Sequence, residues 1–139
     1  MPESSVITHH TALIYVMVLV SASDGDMTDA ELGEIGNIVT HLPVFRDFDI
    51  ERLSSIAGSC TDLLQDDAGL DTALSLVFEG LPEKLRETAY AVACDIAVAD
   101  GEIKQEELRL LELVRHRLRV DRLSAAAIER GARARHAVL

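Results

Sequence analysis

The sequence contains two copies of one short pattern, and this repeat constrains the fold more than any other feature. Residues 21–32 (SASDGDMTDAEL) align with residues 97–108 (AVADGEIKQEEL) after a shift of 76 positions. An Asp-Gly pair and a Glu-Leu pair are identical in both copies. Each copy follows a strongly apolar segment and precedes an amphipathic one, which predicts the same helical hairpin twice. Two such hairpins indicate a pseudo-twofold bundle with residues 13–20 and 89–98 as adjacent central helices, and not a solenoid.

Apolar periodicity and helix signals predict about seven helices and no strand. Apolar residues make up 48% of the chain and aromatic residues only 4%, as is typical of packed helices. Five of the predicted helices cover approximately residues 9–23, 28–42, 50–64, 70–79 and 104–118. The fifth in chain order opens near Pro82 and includes the apolar residues 89–99, and the last begins near Asp121 and runs towards the C-terminus. Their boundaries are marked by a capping box at Thr28 and Glu31, by Pro43 and Pro82, by Asp49 and Asp121, and by Gly69 and Gly80.

The fold class is therefore all-α, a compact bundle formed by a single domain over residues 1–139. In the amphipathic helices, helical spacing predicts that Leu32, Leu70 and Leu108 face the core. Cys60 and Cys94 lie on apolar faces and are interpreted as small core residues.

Charge is divided unevenly along the chain. The formal net charge is −11, with −16 in residues 1–114 and +5 in residues 115–139, where seven arginines meet two acidic residues. This acidic balance argues against a nucleic-acid partner. The arginines suit the last turns of helices, whose dipoles favour basic side chains. A contact surface for an acidic partner or for anionic lipid is the alternative.

The sequence favours a cytoplasmic protein that does not insert into a membrane. The apolar run at residues 12–22 has 11 residues, whereas about 20 are needed to span the hydrocarbon core. A signal peptide carries positive charge before its apolar region, but no Lys or Arg precedes this run. The two cysteines form no CxxC pair, which suits a reducing compartment.

The two acidic turns are the candidate functional sites. Each turn brings three carboxylates within reach of one point: Asp24, Asp26 and Glu31 in the first, and Asp100, Glu102 and Glu107 in the second. Gly25 and Gly101 can take the positive φ that ends the preceding helix sharply. Like charges 4 Å apart repel by about 1–4 kcal/mol at effective dielectric constants between 80 and 20. This repulsion among three neighbouring carboxylates favours the binding of a cation or the protonation of one carboxylate.

Helix capping is the competing explanation for these acids. It accounts for Glu31, which forms a capping box with Thr28. In the second copy Lys104 replaces Thr28 and offers no acceptor, so Glu107 is expected to recur without a capping partner. The spacing does not fit an EF-hand loop. Because both motifs offer oxygen ligands only, a bound ion is expected to be Ca²⁺ or Mg²⁺ and not Zn²⁺.

Few other polar residues suggest chemistry. No nucleotide-binding, zinc-protease or serine-hydrolase motif is present, so no catalytic residue is assigned and the protein is not expected to be an enzyme. Asp95 interrupts an apolar segment and is expected to bind a hydroxyl group or an arginine. His9 and His10 are expected to be solvated.

Both copies of the [AS]-D-G-x-[MI]-x-x-x-E-L pattern, together with LPVFRDFD at residues 42–49, resemble the TerB-like family of tellurite-resistance proteins. The resemblance extends from about residue 9 to about residue 135. It implies a compact helical bundle without known catalytic activity, and protein partners in stress-response or membrane-associated complexes. It also implies divalent-metal binding by the acids at the six matching positions, which are Asp24, Asp26, Glu31, Asp100, Glu102 and Glu107.

Three classes of function follow. The leading hypothesis is a non-enzymatic module that binds a divalent metal and acts in tellurite or stress resistance. The alternative is a metal-independent interaction module whose acidic face docks a basic partner. A metal-dependent hydrolase is the third class, but the motifs contain neither a nucleophile nor a general-base histidine.

Overall fold

Helices account for the regular structure in the part of the chain that is described. The computed structural model describes residues 6–23, 27–99, 101 and 103–139, and within these ranges it contains seven α-helices and no strand. The helices are α1 (His9–Ser21), α2 (Asp29–His41), α3 (Leu53–Leu63), α4 (Gly69–Gly80), α5 (Arg86–Ala97), α6 (Gln105–Arg117) and α7 (Arg122–Arg135). The predicted all-α fold class is confirmed.

Side-chain caps fix several of the helix starts. Thr8 accepts the backbone N–H of Thr11 before α1, and Asp121 accepts that of Ser124 before α7. Asp49 is a cap as predicted, but the first turn after it is a 3-10 helix at Ile50–Arg52. Further 3-10 turns lie at Pro43–Phe45 and Glu83–Leu85, so both predicted proline boundaries coincide with a change of helix type.

The core is built around α1 and α5. In α1 every side chain from Ala12 to Ser21 is buried, and α5 buries residues on most of its surface. The two helices pack against each other, as predicted for the two central segments. The bundle is completed by α3 and α4 against α1, and by α2, α6 and α7 against α5. The twofold relation between the two hairpins stays a prediction.

Three leucines that the periodicity assigned to the core are on the surface. Leu32 and Leu108 are 50% and 52% exposed, and Leu70 is also exposed. In α2 and α6 the inward position of the first turn is occupied by the preceding glutamate instead. The helix register is set by the longer apolar stripe further along, at Ile35 and Ile38 in α2, and a residue four positions before Ile35 falls on the same face.

His10 is only partly exposed and is held by contacts within the fold, whereas it was expected to be solvated. Its Nε2 lies 2.7 Å from the carbonyl oxygen of Val44, and its ring packs against Phe45 and Phe48. The imidazole therefore fastens the start of α1 to the loop after α2. No helix in the described ranges combines the length and the apolar character needed to cross a membrane.

Candidate cation site at the helix junctions

The structure describes one acid of each predicted metal-binding set. Glu31 lies in the first turn of α2 and Glu107 lies in the first turn of α6. The other four predicted ligands, Asp24, Asp26, Asp100 and Glu102, lie outside the described residues. Among the residues that are described, no group of three or more His, Cys, Asp or Glu side chains is close enough to hold a metal ion. The six-residue site stays a prediction.

Glu31 is a buried carboxylate with a defined capping role. Its side chain is only 2% exposed. Its Oε1 accepts the backbone N–H of Thr28 at 3.0 Å, and Thr28 Oγ1 accepts the backbone N–H of Glu31 at 3.1 Å. The predicted capping box is confirmed. This box satisfies two backbone donors that the start of a helix otherwise leaves unpaired.

Glu107 repeats this arrangement more closely than the sequence predicted. It is 1% exposed, and its Oε1 accepts the backbone N–H of Lys104 at 3.0 Å. The expectation that Glu107 lacks a capping partner is therefore wrong. The bond needs only the backbone of the cap residue, so it survives the exchange of threonine for lysine, whose ammonium group cannot accept the reciprocal bond.

The backbone at the second turn has the conformation that its glycine was predicted to adopt. Gly101 has φ of +84°, and its N–H donates to the carbonyl oxygen of Val98 at 3.0 Å. This left-handed residue closes the end of α5 and redirects the chain. Gly25, the equivalent residue of the first turn, lies outside the described residues.

The four helix ends that flank the two turns lie at the same end of the molecule. Leu19 and Ser23, at the end of α1, line a groove of about 600 Å³ together with Glu106 at the start of α6. On the other side, His136 Nε2 lies 3.5 Å from Asp95 Oδ1 near the end of α5, and 4.0 Å from Glu34 Oε2 near the start of α2. The end of α1 therefore lies beside the start of α6, and the end of α5 lies beside the start of α2.

Arginines of the last two helices pair with acidic residues elsewhere in the bundle. Arg135 Nη2 lies 2.5 Å from Asp95 Oδ1, which confirms that Asp95 has an arginine partner. Arg117 Nη1 lies 2.7 Å from Asp71 Oδ1 and joins α6 to α4. The last turns of α6 and α7 contain basic residues, which the helix dipole favours at a C-terminus. Part of the segregated charge is therefore neutralised within the fold.

One polar cluster was not anticipated from the sequence. The hydroxyl group of Tyr90 in α5 donates to Glu129 Oε2 in α7 at 2.5 Å, beside the buried thiol of Cys94. This pair borders a cavity between α5, α6 and α7 that also contains arginines. The excess of arginine after residue 114 was the available signal, but periodicity alone does not tell which arginines converge.

Comparison with known proteins identifies the family of the chain. The family model described as "Tellurite resistance protein TerB" matches residues 10–130. No curated protein and no solved structure matches the chain. The matched range includes both acidic turns, helices α2 to α6, and all of α1 except His9. The chain therefore belongs to the TerB family of tellurite-resistance proteins.

Proposed function

We propose that the protein is a non-enzymatic module of tellurite resistance that binds Ca²⁺ or Mg²⁺ through its two acidic turns and acts together with protein partners. Family membership implies the role in tellurite or stress resistance. The observation that carries the cation proposal is the burial of Glu31 and Glu107 at equivalent positions of the two motifs.

Burial changes what these two carboxylates can do. Each carboxylate uses Oε1 for its cap. A carboxylate has two oxygens, and both can accept hydrogen bonds or ligate a cation. The attraction between a carboxylate and a cation is stronger in a partly desolvated site than in bulk water. Both glutamates therefore combine an anchoring role with the capacity to bind a cation.

The position of the two turns also supports the proposal. Their flanking helix ends lie at one end of the bundle, and the segments between those ends contribute Asp24, Asp26, Asp100 and Glu102. These residues add oxygen ligands only, which favours Ca²⁺ or Mg²⁺ over Zn²⁺. If the six carboxylates share one electrostatic neighbourhood, their mutual repulsion opposes folding in the absence of a cation.

The test is calorimetric titration with Ca²⁺ and Mg²⁺, together with thermal melts. A cation at a hundredfold excess over its Kd stabilises the folded state by about 2.7 kcal/mol. For a chain of this size that corresponds to a rise in Tm of about 10 °C. NaCl at equal ionic strength should produce a smaller rise, because it screens the carboxylates without ligating them.

Glu31→Gln and Glu107→Gln are the informative variants. The glutamine amide oxygen can still accept the capping bond, so the substitution removes the charge and leaves the cap. We expect each variant to fold and to show a smaller cation-dependent rise in Tm. Glu79→Gln is the matched control, because Glu79 is exposed and its neighbour Gly80 lies against Ile7 before the start of α1, at the opposite end of the bundle.

The outcomes separate the hypotheses. Equal cation-dependent shifts in the wild type and in Glu107→Gln would refute the ligand assignment for the second turn. Absence of binding heat and of any shift beyond that of NaCl would refute cation binding altogether. That second result would leave the metal-independent interaction module as the function to test.

A further inference from the structure

The cavity between α5, α6 and α7 has an apolar floor and a basic mouth. Its volume is about 460 Å³, within the usual size range of small-molecule sites. The floor consists of buried side chains, namely Tyr90, Cys94, Val98, Leu111 and Ala132. The side chains at the mouth are exposed, and they include Leu108, Arg109, Glu112 and Arg133. The cavity is thus amphipathic from floor to mouth.

Two of the mouth arginines are available for a ligand. Neither Arg109 nor Arg133 forms a hydrogen bond or an ion pair with any residue that the structure describes. This is unusual in a chain of net charge −11, where Arg117 and Arg135 do find carboxylates. A third lining arginine, Arg115, is half-buried and donates to the carbonyl oxygen of Val120 at 3.3 Å.

The carboxylates of the cavity do not cancel this charge. Glu129 Oε2 accepts a hydrogen bond from the hydroxyl group of Tyr90. Glu112 is exposed at the mouth. Three guanidinium groups and two carboxylates leave the lining with a positive balance. A guanidinium group recognises a carboxylate through two parallel hydrogen bonds, and a second guanidinium group adds to the attraction.

We propose that this cavity binds a small monoanion with an unbranched apolar tail, such as a medium-chain carboxylate. Its head group would pair with Arg109 and Arg133, and its tail would lie on the apolar floor. The exposed Leu108 at the mouth would cover part of the tail. Val98 and Ile103 of the lining flank the second acidic turn, but Glu107 does not line the cavity, and the proposal does not depend on cation binding.

Decanoate, at concentrations where it remains monomeric, is the probe that tests the proposal by calorimetry and thermal shift. We expect saturable binding of one decanoate per chain and a rise in Tm. Acetate has the same head group and decylamine the same tail with the opposite charge. Neither should bind measurably if head and tail are both required. No saturable binding of decanoate, or equal binding of decylamine, would overturn the proposal.

Variants of exposed residues distinguish a specific site from general attraction. Arg109→Gln combined with Arg133→Gln should weaken decanoate binding at least tenfold. The matched control, Arg122→Gln combined with Arg130→Gln, removes the same charge from exposed α7 positions that do not line the cavity, and its affinity should stay within twofold of the wild type. Equal losses in both pairs would overturn the proposal. Circular dichroism would confirm that every variant folds.

The apolar contact has its own matched pair. Leu108→Gln should weaken decanoate binding, whereas Leu32→Gln, at the equivalent and equally exposed position of the first motif, should not. An effect of the same size in both variants would contradict the proposed position of the tail. Vesicles of anionic phospholipid form the last arm. Sedimentation of the protein with vesicles, without binding of monomeric decanoate, would place the anion in a membrane and overturn the soluble-ligand proposal.

Discussion

The two cysteine thiols are buried in the core and are expected to be unreactive in the folded protein. Cys60 is fully buried against α1, and its Sγ approaches the carbonyl oxygen of Tyr15. Cys94 is buried below the cavity between α5, α6 and α7. Burial raises the pKa of each thiol to about 12. Because the thiolate is the reactive form, alkylating reagents should modify these cysteines only when the protein opens.

The raised thiol pKa values predict a loss of stability at alkaline pH. In the unfolded chain a thiol ionises near pH 8.5, whereas in the folded protein it stays protonated up to about pH 12. The stabilising contribution is complete below the unfolded pKa and is lost as the pH rises towards the folded pKa. Each thiol should remove roughly 1–2 kcal/mol from the free energy of unfolding between pH 8.5 and pH 10.

Urea denaturation at a series of pH values measures this effect. The matched variant is Cys60→Ala combined with Cys94→Ala. It should be less stable at neutral pH because the core loses volume, but it should lose less stability between pH 8.5 and pH 10. The same pH dependence in the variant and the wild type would contradict the assignment to the thiols.

At the residue scale, the sequence identified Glu31 and Glu107 as a recurring pair but did not predict that their side chains are buried. The repeat singled out both glutamates because each recurs at the same distance from an acidic turn. Periodicity nevertheless assigned the inward position to Leu32 and Leu108, since apolar residues usually occupy it. The structure buries the glutamates because they satisfy backbone donors there, and this energetic gain depends on geometry that a count of apolar positions does not contain.

At the scale of the element, the start of α2 depends on a side chain that can be replaced. Thr28→Ala removes the acceptor for the backbone N–H of Glu31 and leaves the Glu31 half of the capping box. We expect a loss of about 1 kcal/mol in the free energy of unfolding. Thermal and urea denaturation would measure it.

The control for this variant is Thr72→Ala. Thr72 is exposed within α4, where alanine has the higher helix propensity, so this substitution should be neutral or slightly stabilising. Equal destabilisation by the two substitutions would show that the Thr28 cap contributes nothing specific.

Helix boundaries were largely predictable because caps, prolines and glycines act locally. The fourth helix begins and ends at the two glycines that predicted it, and α7 begins after its predicted aspartate cap. The 3-10 turn at Ile50–Arg52 was not predicted. A single turn of this type presents too few residues for a 3.6-residue period to be distinguished from a 3.0-residue one.

At the scale of the whole molecule, stability depends on the contact of α1 with its neighbours. Leu13 has no exposed surface and lies among α1 residues that are buried on every side. Leu13→Ala should lower the free energy of unfolding by about 2–5 kcal/mol, because it leaves a cavity that the packed helices cannot fill. Chemical denaturation would measure the change.

Leu123→Ala is the surface counterpart of that substitution. Leu123 in α7 is 81% exposed, so its truncation should change stability by no more than about 0.5 kcal/mol. If both leucine truncations had similar effects, α1 would not be the centre of the core.

The arrangement of the helices could be predicted only in part. Two long apolar segments were sufficient to predict that α1 and α5 meet, because a helix that is apolar all round must be covered all round. The path of α7 was not predictable in the same way. Arg135, in the last turn of α7, forms an ion pair with Asp95, and the adjacent His136 lies close to Asp95 and Glu34. These contacts join residues that are far apart in the sequence.

The burial of α1 from Ala12 to Ser21 has a consequence for the order in which the protein can fold. The helices that contact α1 are α2, α3, α4, α5 and α6. All of them follow α1 in the chain, so the ribosome makes them after it. Until α5 has emerged, the segment ALIYVMVLVS has no complete apolar surface to pack against. During translation this segment is exposed to aggregation and to capture by chaperones. Although α1 precedes all of the helices that cover it, it is thus among the last to be shielded from water.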